Sequence, residues 1–298
     1  MRRTKPPAFT LLELLVVMAI LAVLTGLLLA AVQRVRYAAA RMDCQNRLRQ
    51  LALGLHLYHD VRHSLPRGHH APSFANQQPW AGWTLSVLPF IEQEALARQA
   101  EADYRANANP FSPHAGLSIP VKAFQCPADG RVTMPQRAQR TGETIALTSY
   151  LGVAGQDAVR SRDGVLFQQS QVRLGDITDG TSNTLMLGER PPSPDFQFGW
   201  LYAGAGQLQT GSGDFVLGIT EENRQPIVTG SPCGPGRYFF RAAGGFADPC
   251  GVFHFWSPHL GGANFAFADG SVRYLSYDGR DLLPALASRA GGETVTLD

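Results

Sequence analysis

Nineteen consecutive residues without a charge, Leu14–Val32, constrain this chain more than any other feature. As a helix the run is roughly 28 Å long, close to the thickness of a bilayer's hydrocarbon core. Thr25 and Gly26 interrupt it only weakly, a basic leader with Arg2, Arg3 and Lys5 precedes it, and Gln33-Arg34-Val35-Arg36 follows it. A retained membrane span accounts for this pattern. The competing reading is a secretory signal peptide cut after Ala31, although its apolar region would be shorter. Both flanks are basic, so the positive-inside rule does not orient the span. Arg34, Arg36, Arg41, Arg47 and Arg49 read as a solvated face or as contacts with lipid headgroups.

Glu13 stands at the start of the apolar segment, where a carboxylate is unfavourable by on the order of 3 kcal/mol unless paired. It either stays at headgroup level or pairs with an amine of a neighbouring subunit. Beyond the span, Cys44, Leu48, Leu51, Leu55 and Tyr58 recur at spacings of four, three, four and three, the stripe of one helical face. The spacing predicts one helix from about Thr10 to about Asp60, with Pro66 as a downstream limit.

The rest of the chain has a different composition. With 31 Gly and 20 Pro in 298 residues it suits short strands and turns. A net charge of +2 and 17% charged residues exclude both disorder and a nucleic-acid-binding surface. A short helix is expected over Ile91–Arg105, after the apolar stretch Trp83–Phe90. Strands are expected at Ile145–Val153, Gly164–Phe167, Thr184–Gly188, Phe198–Tyr202, Phe215–Ile219, Tyr238–Arg241, Val252–Trp256, Asn264–Ala268 and Val272–Ser276. Asp269-Gly270 should form the tight turn between the last two, since both residues tolerate positive φ.

Phe9-Thr10-Leu11-Leu12-Glu13 after the basic leader resembles the cleavage and methylation segment of type IV pilins and type II secretion pseudopilins. The resemblance implies that a prepilin peptidase cuts between Ala8 and Phe9, that Phe9 is N-methylated, and that Glu13 pairs with the Phe9 amine of an adjacent subunit. Ala8 replaces the usual glycine, and Ala30 stands near a position where proline is common. Further segments resemble a bacterial family of prepilin-like proteins, domain-of-unknown-function family 1559. They are Cys44–Leu48 with Tyr58-His59-Asp60, Trp83–Gln93, Cys126-Pro127, Thr148–Gly155, Ile177–Glu189, and a terminal signature of His259, nine residues, then Asp269-Gly270.

Together these readings give an α+β, pilin-like chain. It comprises a leader (1–8), a membrane and assembly helix (9–32), a continuation packed on the body (33–62), and a loop-rich antiparallel β domain outside the cytoplasm (63–298). Expected partners are prepilin peptidase, other pilin-like subunits and membrane lipid, without nucleic acid.

Four cysteines form no CxxC pair and have no zinc-ligand spacing with histidine. Cys233 with Cys250 would close a loop of moderate length, and Cys44, on the buried stripe, could reach Cys126. Three connectivities and four free thiols all remain open.

His254, His259, Asp269, Ser182 and Glu189 include the residue types of a hydrolytic triad. However, the chain has no G-x-S-x-G elbow, H-E-x-x-H pair, P-loop or dinucleotide fingerprint, so a non-enzymatic body is expected. No cofactor is expected either. Asp176–Asn183 resembles a calcium loop superficially, but Leu187 takes the twelfth position. Some pseudopilins bind calcium near the C-terminus, which leaves Gly261–Ser276 as a candidate segment. The surroundings of Trp80, Trp83, Trp200 and Trp256 admit a glycan-binding module as the alternative function.

Overall fold

The computed structural model describes residues 10–73, 77–112, 114–224 and 233–293. The leader Met1–Ala8 and the expected scissile bond between Ala8 and Phe9 lie outside the described residues. The chain forms two compact units, one ending at Met42 and the other running from Asp43 to Asp298. The helix α1 (Leu11–Arg62) runs through this boundary.

In the first unit, Thr10 and Glu13 form a reciprocal cap. Glu13 Oε2 accepts the Thr10 backbone N–H at 2.9 Å and its hydroxyl at 2.8 Å, while Glu13 N–H donates to Thr10 Oγ1 at 3.3 Å. The large apolar side chains from Leu11 to Leu29 are between 45% and 81% exposed. The Thr25 hydroxyl bonds back to the Leu21 and Ala22 carbonyls, which satisfies it without water.

In the second unit, α1 buries Cys44, Leu48, Leu51, Ala52, Gly54 and Leu55. Tyr58, the last residue of the expected stripe, is half-buried and packs edge-on against Phe90. A Cβ on Gly54 would come within 2.7 Å of Val87 and Ile91, so the glycine permits close packing of the next helices. His63 ends α1 in a left-handed conformation (φ +59°), its N–H on the His59 carbonyl.

Next come α2 (Trp83–Val87), a 3-10 turn at Leu88–Ile91 and α3 (Glu94–Ala106). The apolar stretch before the expected helix is therefore helical itself, and left-handed Glu92 (φ +62°) separates it from α3. Ion pairs Glu94–Arg98 and Glu101–Arg105 lie on the exposed face of α3, with Leu96, Ala100 and Tyr104 on the buried one.

Among the described residues nine strands follow: β1 (Gln136–Arg137), β2 (Thr144–Ile145), β3 (Tyr150–Val153), β4 (Leu185–Glu189), β5 (Val216–Leu217), β6 (Glu222–Asn223), β7 (Gly236–Arg237), β8 (Gly262–Phe267) and β9 (Val272–Ser276). The central sheet has the order β5-β3-β4-β8-β9. It is antiparallel except for the parallel β3–β5 pair, a mixed but mainly antiparallel sheet that agrees with the expected α+β class.

One face of the sheet joins the core that holds the α1 stripe, Trp83 and Phe124. On the other face, Leu151, Val153, Phe265 and Phe267 pack beneath Phe240, Phe255 and the short α4 (Leu283–Ala287).

Several expected strands are buried without being ladders. Gly164–Phe167 is a loop whose first N–H groups reach the Ala154 and Val153 carbonyls. Phe198–Tyr202 has one isolated bridge, at Trp200, and Tyr238–Arg241 follows β7 as coil. Val252–Trp256 begins inside the 3-10 turn Pro249–Phe253. Ile145–Val153 is split because the Thr148 hydroxyl bonds with the Tyr150 backbone. Side-chain and loop partners satisfy these backbones, and periodicity cannot reveal them.

The body also buries ionisable groups. Asp214 accepts from the N–H groups of Gly199, Trp200 and Gly206, and burial pushes its carboxyl up to about 6. Glu221 accepts from Ser212 Oγ, Gly218 N and Ala158 N, and burial, with Asp157 nearby, pushes it up to about 7 from an ordinary 4.5. Between these values the folded chain holds a proton that the unfolded chain has lost. The resulting stability is complete below about pH 4.5 and lost as the pH rises through about 7. Burial of His69, His70 and His254 acts oppositely, holding each down to about 4 from 6.5. Comparison with Glu221→Gln isolates the carboxyl: the wild-type minus variant stability should fall by about 3 kcal/mol between about pH 4.5 and about pH 8. Denaturant titrations across that range measure it, and a flat difference contradicts the assignment.

Candidate functional site

Segments that are far apart in sequence converge on a buried polar cluster beside β4 and β8. Cys44 from α1 is bonded to Cys126, across 82 residues of sequence with the Cα atoms 5.3 Å apart. Cys126 Sγ lies 3.8 Å from His259 Nε2, and that nitrogen lies 3.4 Å from Glu189 Oε1. Glu189 sits at the end of β4, with Oε2 accepting the Asn264 backbone N–H at 2.7 Å and Oε1 accepting Asn264 Nδ2 at 2.9 Å. Gln45 Nε2 in turn donates to Asn264 Oδ1 at 3.0 Å.

The cluster is buried, since Cys44, Cys126, Glu189, His259 and Asn264 are all 8% exposed or less. Strand alternation explains it: Asn264 and Ala266 face α1, while Phe265 and Phe267 face the opposite core. The His259 loop is held by its own N–H on Ser257 Oγ and by the Ser257 hydroxyl on the Gly262 carbonyl.

The signature therefore has two separate ends. His259 is buried in the cluster, whereas Asp269 and Gly270 form the β8–β9 turn. Gly270 N–H donates to the Phe267 carbonyl at 2.9 Å and Gly270 has φ +83°. Among the described residues Asp269 does not share that positive φ, so the connection is a three-residue loop ending in a left-handed glycine rather than the expected turn. Asp269 Oδ1 accepts the Ser271 N–H.

Of the other triad residue types, Ser182 is exposed on the 3-10 turn Thr181–Asn183. His254 is buried, with Nδ1 at the Phe255 carbonyl and its ring parallel to that of Tyr238. Only His259 and Glu189 are brought together.

In the loop compared with a calcium site, Asp176 accepts the Arg173 N–H, and the two Asp179 oxygens accept from Gly291 and Gly292. These carboxylates point at backbone donors. The second disulfide, Cys233–Cys250, closes a 17-residue separation. Gln45 and Asn264 escaped sequence reading, although one polar residue on the inward face of an otherwise apolar β8 was a usable signal.

A separate groove of about 1010 Å³ is lined by Tyr58, Arg62, Arg67, His70, Tyr104 and Arg105, among others. Trp83, Trp200 and Trp256 are core residues, their indole N–H groups bonded to the Phe215, Phe196 and Gly251 carbonyls.

Two family models match the chain. Residues 7–29 match the prokaryotic N-terminal methylation motif, which marks a membrane-anchored, pilin-like protein processed by prepilin peptidase. No curated protein and no solved structure matches. The second model spans residues 33–278, most of the chain and every segment of the buried cluster, and the chain therefore belongs to the family described as "Protein of unknown function (DUF1559)".

Proposed function

We propose that this protein is a non-enzymatic, pseudopilin-like subunit. Prepilin peptidase cuts it between Ala8 and Phe9, and Phe9 is N-methylated. One pass anchors it in the bacterial inner membrane with the body in the periplasm. Pilin-like partners assemble with it into a filament of the type II secretion or type IV pilus kind. The observation that carries this reading is Glu13 in the first turn of an apolar helix whose large side chains from Leu11 to Leu29 are exposed. Both Thr10 bonds fall on Oε2, and the remaining negative charge in lipid calls for a cation, which an adjacent subunit's N-terminal amine supplies. Two disulfides in a folded body agree with an oxidising compartment.

The test is Glu13→Leu. It should reach the membrane fraction at wild-type level while formaldehyde cross-linking between neighbouring subunits falls by more than about tenfold, as for loss of a desolvated charge pair. Wild-type cross-linking by the variant overturns the reading.

The groove favours a second reading, a membrane-tethered extracytoplasmic module that binds a ligand or glycan and uses the pilin segment for delivery. Arg62 and Arg67 on its walls suit an acidic ligand, while Arg105 there is paired with Glu101. Binding of acidic glycans that is lost in Arg67→Ala but kept in Glu13→Leu would favour it.

A further inference from the structure

We infer that in the dithiol state Cys44, Cys126, Glu189 and His259 form a four-ligand site for a thiophilic divalent cation such as Zn²⁺, and that closing the disulfide expels the cation. The four ligand atoms lie within 4.8 Å of one another, the one such grouping of His, Cys, Asp and Glu among the described residues. A tetrahedral zinc ion with ordinary bond lengths has N···O edges of about 3.4 Å and N···S edges of about 3.6 Å. The structure holds His259 Nε2 at 3.4 Å from Glu189 Oε1 and at 3.8 Å from Cys126 Sγ. The two bonded sulfurs must separate, which breaking their bond allows.

Part of the outer shell of a metal site is already present around the carboxylate and the His259 loop. Asn264 fixes both Glu189 oxygens and is fixed by Gln45, while Ser257 anchors the His259 loop. Two thiolates, an imidazole and a carboxylate suit zinc, and sulfur disfavours calcium and magnesium.

The chain is made with free thiols, so the site forms as the body folds, and binding Zn²⁺ releases the two thiol protons. Oxidation then needs a disulfide-bearing oxidant. It takes two electrons from the sulfur pair, becomes a dithiol by taking up two protons, and leaves the Cys44–Cys126 bond and a free cation. The cluster thereby orders four distant segments before the bond forms.

The test uses the reduced full-length chain in detergent, oxidised by glutathione disulfide with Zn²⁺ or with a chelator, and followed by alkylation and peptide mass spectrometry. Zn²⁺ should slow closure of Cys44–Cys126 by more than about tenfold while Cys233–Cys250 closes at an unchanged rate, an internal control within one chain. In His259→Gln, which keeps both thiols, the ratio should fall toward one. With Co²⁺ in a Cys233→Ser/Cys250→Ser background, one ion per chain should show thiolate charge-transfer absorption and tetrahedral ligand-field bands. Equal effects on both cysteine pairs, no effect on either, or a cobalt spectrum without thiolate bands overturns the inference.

Discussion

Replacing Cys44 and Cys126 by alanine is expected to lower the stability of the body by about 4–5 kcal/mol, against about 3 kcal/mol for the Cys233/Cys250 pair. The difference follows from sequence separation, 82 residues for the first bond and 17 for the second, because the longer loop gains more freedom when the unfolded chain is released. Position reinforces the difference. Cys44 is the first buried residue of α1, and its partner precedes the loop leading to β1, so the bond ties the helix directly to the sheet domain. Urea titrations of the full-length protein in detergent with EDTA, comparing the two double variants, provide the measurement. An equal or smaller loss for the Cys44/Cys126 variant contradicts this account.

Glu189→Ala should lower stability by about 3–5 kcal/mol, because it leaves two buried donors of Asn264 without their acceptor. Glu189→Gln restores an acceptor but turns an NH₂ group toward donors, so its loss should be smaller but still measurable. Asp269→Asn, at the exposed end of the signature, should do less than either, since its carboxylate accepts a single turn N–H. Thermal melts of the three variants establish the order. A Glu189→Ala protein as stable as wild type would mean that the cluster does not hold the sheet as described.

The sequence alone contains the membrane helix, the buried stripe from Cys44 to Leu55, the β8–β9 hairpin and the identity of the processing segment. These are local properties: an uninterrupted apolar run, a helical period and a glycine at a turn each act through neighbours a few residues away. The same reasoning misplaced the strands around Phe198–Tyr202 and Val252–Trp256. Apolar residues there are buried, but their backbone partners lie in distant segments that no window of sequence contains.

Tertiary structure alone decided the rest. The parallel β3–β5 pair requires Gly152 to meet Val216, and the polar cluster requires buried Cys44, Cys126, Glu189, His259 and Asn264 to converge, with half-buried Gln45 at their edge. Spacing searches for metal ligands fail on Cys44, Cys126, Glu189 and His259 because they come from four separate segments. Their proximity exists only once the sheet has set its register and turned Asn264, rather than Phe265, toward α1.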